Sequence, residues 1–252
     1  MIAILVAVNQ ELNPILRRAS ANHLVRQAHL DSHEGTLAGQ PVAMLALGMG
    51  KDCARIAAEM TIKCYRPDIV ISAGFGGGLH PSVNDGDIVI GTDSLELSQD
   101  TGTQVRWRSV HKLAPHDELV MENRNCQVHR GPILTTDDII IRAATKQHLG
   151  KATGAVAADM ETSAVAAVCA AHGTDMLALR AITDNNRKDL PDDLDDFFVL
   201  GQLQLGRLLS ACNRHPRLIF DLARLGHRAS IAGANLARFL ELSIPRLQLR
   251  NA

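Results

Sequence analysis

Six short apolar runs, at residues 2–8, 41–47, 68–73, 87–91, 127–134 and 176–182, alternate with segments whose apolar side chains recur every three or four residues. Cys53, Ala57, Met60 and Cys64 form one such stripe, and Met160, Ala164, Val168 and Ala171 form another. Short apolar runs pack as buried strands, whereas a stripe at helical spacing buries one face of a helix. Strands that alternate with helices must bury both kinds of apolar surface against each other. The chain is therefore expected to be an α/β three-layer sandwich with a central mixed sheet. Its 252 residues, 46% of them hydrophobic, are enough for one large core of this kind.

Charge and cysteine usage exclude several functions. A formal net charge of -1 lacks the positive field that nonspecific nucleic-acid binding requires, so nucleic acid is not an expected partner. No basic residue precedes the first apolar run, and Asn9-Gln10-Glu11 follows it where a leader would carry a small-residue cleavage site. That run reads as a buried strand. No stretch approaches the roughly 18 uninterrupted apolar residues of a membrane span. Five widely spaced cysteines, none in a Cys-x-x-Cys pair, predict reduced thiols and a cytoplasmic chain.

The C-terminal segment has a different electrostatic character. Residues 213–252 carry seven arginines against Asp221 and Glu241, a formal +5, while residues 1–212 carry a formal -6. The expected division is thus a domain at 1–212 and a basic amphipathic helical extension at 213–252. Leu218, Ile219, Leu222 and Leu225, then Leu236, Phe239, Leu240 and Ile244, read as two short helices separated around Gly226 and Gly233. Such helices can cap the domain or a subunit interface. They can also lie on a membrane surface as a peripheral contact.

Candidate chemistry sits where the apolar runs end. In an open α/β sheet ligands bind beyond the carboxyl ends of the strands, so acids delivered there by different strands can converge on one small molecule. Glu11 follows the first run and Asp184 the last, and Asp159-Met160-Glu161 opens an alanine-rich helix. The helix start also accounts for those two acids as caps. Gly74-Phe75-Gly76-Gly77-Gly78 reads as a turn after the strand at 68–73, where a ligand can approach the backbone closely. It is no dinucleotide fingerprint, because Leu79 occupies the last glycine position and a strand rather than a helix follows. Gly48-Met49-Gly50-Lys51 reads as a helix start whose amides can receive an anion or a hydroxyl. His29 and His33 share a helical spacing, but no third ligand matches them, and no metal or organic cofactor is expected.

Taken in order, these motifs resemble the purine nucleoside phosphorylase and nucleosidase superfamily, particularly its methylthioadenosine/adenosylhomocysteine nucleosidase-like branch. The resemblance covers residues 1–212. It rests on Val8-Asn9-Gln10-Glu11-Leu12, Gly48-Met49-Gly50-Lys51, Gly74 to Leu79 with Gly86-Asp87-Ile88-Val89, Asp159-Met160-Glu161, and Arg180-Ala181-Ile182-Thr183-Asp184. Within the family, the hopanoid-associated group, which is thought to remove adenine from adenosylhopane, is the most similar.

The resemblance implies a homodimer and three catalytic acids: Asp184 at nitrogen 7 of the leaving purine, Glu161 on the ribose hydroxyls and Glu11 on the water. Met160 would lie against the sugar, with Asp159, Gly76, Gly77, Met49 and Gly50 lining the substrate site. Cleavage of an N-glycosidic bond builds positive charge on the ribosyl ring and negative charge on the base. Carboxylates near the sugar and an acid near the base therefore stabilise the transition state selectively.

Two departures bear on the substrate and the nucleophile. Ile139 and Leu194 stand where relatives place phenylalanines against the nucleoside, so contact with the base would be aliphatic. The arginine-bearing phosphate loop of phosphorylases is absent near the N-terminus, which favours hydrolysis. Arg55 and Lys51 remain as groups that could serve phosphate.

Overall fold

The computed structural model describes residues 1–27, 30–97, 104–108, 126–191, 198–199, 202–203 and 217–247. In chain order the elements are β1 (Ile2–Val6), α1 (Asn9–Leu16), β2 (Ser20–Gln27), β3 (Leu30–Leu37), β4 (Gln40–Ala46), α2 (Lys51–Tyr65) and β5 (Ile69–Gly78). There follow β6 (Ile88–Leu97), β7 (Gln104–Arg108), β8 (Val128–Thr135), α3 (Ala143–Thr153), β9 (Ala157–Asp159), α4 (Thr162–His172) and β10 (Asp175–Asp184). The chain continues with the two-residue strands β11 (Phe198–Val199) and β12 (Gln202–Leu203), and with α5 (Arg217–Ser243). Leu194 and the acidic run at 192–196 lie outside the described residues.

The mixed sheet and the layers agree with the expectation. The parallel strands β4, β1, β5 and β10 form the centre, and the antiparallel strands β3 and β2 extend one edge. Beyond them β10 turns the sheet back through β6, β8 and β9, and β9 returns to pair with β5, so five strands close a ring. β1 is buried on both faces, which is why its sequence is continuously apolar rather than alternating. Ile2, Ile4 and Val6 pack with Leu12 and Ile15 of α1 and with Leu236, Phe239 and Leu240 of α5. On the other face Ala3 and Leu5 pack with Ala54 and Ala58 of α2 and Val165 of α4.

Three expectations are corrected. The glycines at 74–78 are not a turn, because β5 runs through them to Gly78. Crowding explains their composition: a Cβ at Gly74 would meet Glu11 Oε1 at 2.8 Å, and one at Gly76 would meet the Ala158 carbonyl at 2.9 Å. The two short helices of the C-terminal segment are one continuous helix, α5, running through Gly226 and Gly233. At Gly233 a Cβ would come within 3.1 Å of Pro14, so this glycine serves close packing against α1 rather than a break. Residues 30–37 are a strand, so His33 does not belong to a helical histidine pair.

Candidate active site

The glycine-rich end of β5 is the floor of the site, and acids from other elements lie on it. Glu11 stands in the first turn of α1 and is 4% exposed. Its Oε2 accepts from the amides of Ala7 at 2.8 Å and Val8 at 3.1 Å, and its Oε1 accepts from the amide of Phe75 at 2.6 Å. The Val8 contact is a capping interaction, with a glutamate at the third helical position reaching back to the N-cap amide. The Phe75 contact is not local: it ties α1 to β5 and requires the bare Cα of Gly74. Burial raises the carboxyl above its ordinary range, while the three amides and the nearby Arg180 oppose the shift.

Glu161 is the N-cap residue of α4, and its Oε1 accepts from the amide of Gly50 at 2.8 Å. Gly50 is itself the N-cap of α2 and has φ of 90°, a conformation that L side chains rarely adopt. The helix start at Gly48-Met49-Gly50 therefore does receive an anion, but that anion belongs to the protein. Burial, followed by the neighbouring charge of Asp159, pushes Glu161 up to about 7. Arg180 lowers both Glu161 and Glu11, and Glu11 in turn raises Glu161, so the three groups share one electrostatic neighbourhood.

Asp159 faces into the fold. Its Oδ1 accepts from Thr135 Oγ1 at 2.8 Å, and its Oδ2 accepts from the Thr162 amide at 2.9 Å, the Thr162 hydroxyl and the Arg180 guanidinium. These bonds cap α4 and hold Arg180, whose remaining donors reach Ser72, Leu179 and Thr162. Arg180 was legible as a charge inside the apolar run at 176–182, yet the sequence pattern offered no role for it.

Asp184 closes β10 and is 7% exposed. Its Oδ1 accepts from Thr183 Oγ1 at 2.9 Å and its Oδ2 from the ammonium of Lys146 on α3. Gly77 leaves the space for it, since a Cβ there would lie 3.3 Å from Asp184 Oδ2. Sequence reasoning missed Lys146 because α3 is polar and carries no apolar stripe to mark its inner face.

Beside this centre lies a cleft of about 360 Å³ whose walls include Lys51, Thr135, Ile139, Ile140, Ile141 and Thr145. Ile139 is thus at a ligand-sized opening, joined to the acidic centre through the Thr135–Asp159 bond, while Glu11, Glu161 and Asp184 are not among its walls. Met49 and Met160 are half-buried. Among the described residues no three histidines, cysteines or carboxylates group as metal ligands, and no helix is long and apolar enough to cross a membrane.

Buried acids lie around the glycine end of β5, and the comparisons with known proteins make the chain an enzyme that breaks N-glycosidic bonds, as a nucleosidase or a nucleoside phosphorylase. The chain belongs to the Phosphorylase superfamily, whose sequence pattern matches residues 1–213. It is 30% identical over 210 residues to the 5'-methylthioadenosine/S-adenosylhomocysteine nucleosidase of Bacillus subtilis, covering 78% of this chain and 90% of that protein. The nucleosidase of the same name from Bacillus velezensis is 28% identical over 209 residues, with the same coverage. Among solved structures, the Neisseria meningitidis nucleosidase in complex with methylthio-immucillin-A superposes with a TM-score of 0.71 at 22% identity, covering 96% of this chain and 97% of that one. The futalosine hydrolase of Helicobacter pylori superposes with a TM-score of 0.74 at 17% identity, covering 97% of each chain, a likeness of fold.

Proposed function

We propose that the protein is a nucleosidase that hydrolyses the N-glycosidic bond of an adenosine-bearing nucleoside and releases adenine. The observation that carries this reading is the delivery of Glu11, Glu161 and Asp184 by three separate elements onto β5 and the start of α2: Gly74 and Gly77 leave room for Glu11 and Asp184, and Gly50 donates its amide to Glu161. Glu11 takes a proton from the attacking water, and burial increases its basicity for that task. Glu161 accepts from the ribose hydroxyls once substrate replaces the Gly50 amide, with Met160 against the sugar. Asp184 faces nitrogen 7 of the base. Asp159 acts behind them, fixing Arg180 and the start of α4. Residues 1–212 carry all of these groups, and residues 213–252 extend them as a helical segment.

Water is favoured over phosphate by the state of Lys51. Its ammonium is held 2.6 Å from Glu96 and 2.6 Å from Asp137, so its charge is already matched by two carboxylates. Arg55 points into solvent beside Asp52. The substrate class follows the curated relatives, which are named for methylthioadenosine and adenosylhomocysteine. The aliphatic wall at Ile139, Ile140 and Ile141 also suits a nucleoside with an apolar 5' substituent, adenosylhopane being one. Among the described residues Leu236, Phe239, Leu240 and Ile244 lie in the core, so these four are not available for peripheral membrane contact. A homodimer completes the proposal, and light scattering at active dilution reads that state directly.

The test is incubation with adenosine, methylthioadenosine, adenosylhomocysteine and adenosylhopane, with and without phosphate. Free adenine and free sugar are expected. Ribose-1-phosphate as the product would make the protein a phosphorylase, and a protein that binds purine but releases no base under any condition would be a silent binding subunit.

A further inference from the structure

Asp184 is not an isolated acid. The ammonium that donates to its Oδ2 belongs to Lys146, whose side chain is 1% exposed. Lys146 is the buried residue of α3, and among the described residues Asp184 is the side chain that its ammonium bonds. A buried ion pair is weak evidence of stabilisation, because an apolar pair of similar volume commonly packs as well or better. The pair also sits at the reacting end of the site: a Cβ at Gly77 would lie 3.3 Å from Asp184 Oδ2 and 3.8 Å from Lys146 Cε. Among the described residues, Asp189, beyond β10, interacts electrostatically with Lys146 and is bonded by Arg142, the N-cap residue of α3.

We infer that Lys146 is the positioning residue for departure of the base, aiming Asp184 at the purine and supplying through it the proton that the purine receives. This rests on the role given to Asp184 above. The electron pair of the C1'–N9 bond leaves with the base while Asp184 passes a proton to nitrogen 7 and Lys146 passes one to Asp184. The carboxylate begins and ends as a carboxylate, and Lys146 ends neutral. Water oxygen bonds to C1' and its proton goes to Glu11. Lys146 then regains a proton from solvent and Glu11 returns one, which leaves free sugar and free base.

The test compares wild type, K146R, K146M, D184N and K146M/D184N on a nucleoside that the wild type cleaves, reading kcat and KM across pH. K146R is expected to keep kcat within about tenfold, whereas K146M should lose about 10²-fold, the usual scale for general-acid catalysis, with KM nearly unchanged. The pH profile of K146M should also differ from that of the wild type, because the proton path through the Lys146 ammonium is gone. Residues that act as one unit are not additive, so K146M/D184N should match D184N. That comparison stands even if K146M alone fails to fold around an unpaired carboxylate. A folded K146M with wild-type kcat and pH profile would overturn the role, as would a double variant more than tenfold slower than D184N. Wild type that releases base while K146M equals it removes this role and leaves the function; wild type that releases no base from any nucleoside removes both.

Discussion

At the scale of single residues, Glu161 carries the most direct pH signature. Its carboxyl is raised from an ordinary 4.5 to about 7 by burial and by Asp159. The native state therefore keeps a proton that the unfolded chain releases across that interval. Stability from this group is fully present below about 4.5 and is lost as pH rises through 7. E161Q cannot ionise, so its stability relative to wild type should improve between pH 5 and pH 8, as read by urea unfolding at each pH. The same substitution should remove the gain in ribose-dependent binding that wild type shows as Glu161 ionises. An E161Q chain that becomes relatively less stable at the higher pH would contradict the buried, proton-holding carboxyl described here. Glu11 and Asp184 were legible as candidates because each follows an apolar run, where a solvated surface group is less expected, and Glu161 because it opens an alanine-rich helix. Lys146 was not, since nothing in Ala144-Thr145-Lys146-Gln147 marks one side of the helix as inner. The commitment of Asp159 to Arg180, Thr135 and Thr162 was also hidden, because hydrogen-bond partners distant in sequence leave no local pattern.

At the scale of elements, the apolar runs found the buried strands and missed those on the edge. β1, β4, β5, β8 and β10 lie at their expected places. β2 and β3 contain Ser20, Asn22, His23, Asp31, Ser32 and His33, and an exposed antiparallel edge needs no continuous apolar signal. The glycines of β5 read as a turn because glycine weakens a strand in isolation. Here the strand is required to be bare, so that β9, Glu11 and Asp184 can approach it. Helix α5 shows the opposite failure: Gly226 and Gly233 looked like breaks, but the helix runs through both, and at Gly233 it packs closely against α1. Leu236, Phe239, Leu240 and Ile244 are at most 2% exposed in the core shared with β1 and β5. Each such side chain contributes roughly 1.5–3 kcal/mol by burial, so a chain ending at Cys212 should not fold. Circular dichroism melting is expected to show no cooperative transition for it. A cooperative, active 1–212 fragment would show instead that α5 is dispensable.

At the scale of the whole molecule, closure of β5, β10, β6, β8 and β9 into a ring brings the ends of β9 and β10 to the glycine end of β5, which is where the proposed site would gather Glu11, Glu161 and Asp184. The α/β class and the family were readable from ordered motifs spread over residues 1–212, and the family pattern matches 1–213. The ring itself was not readable, because the β9–β5 pairing joins only Ala157 and Ala158 to Gly78 and Gly77, too short a stretch to leave a pattern. The central claim is that this arrangement directs water, rather than phosphate, at the sugar carbon of an adenosine-bearing nucleoside. It is tested most directly by turnover in ¹⁸O-labelled water with phosphate present, followed by mass spectrometry of both products. The account predicts unlabelled adenine and a free sugar carrying one ¹⁸O at C1. An unlabelled sugar phosphate, or intact nucleoside after prolonged incubation, would contradict it.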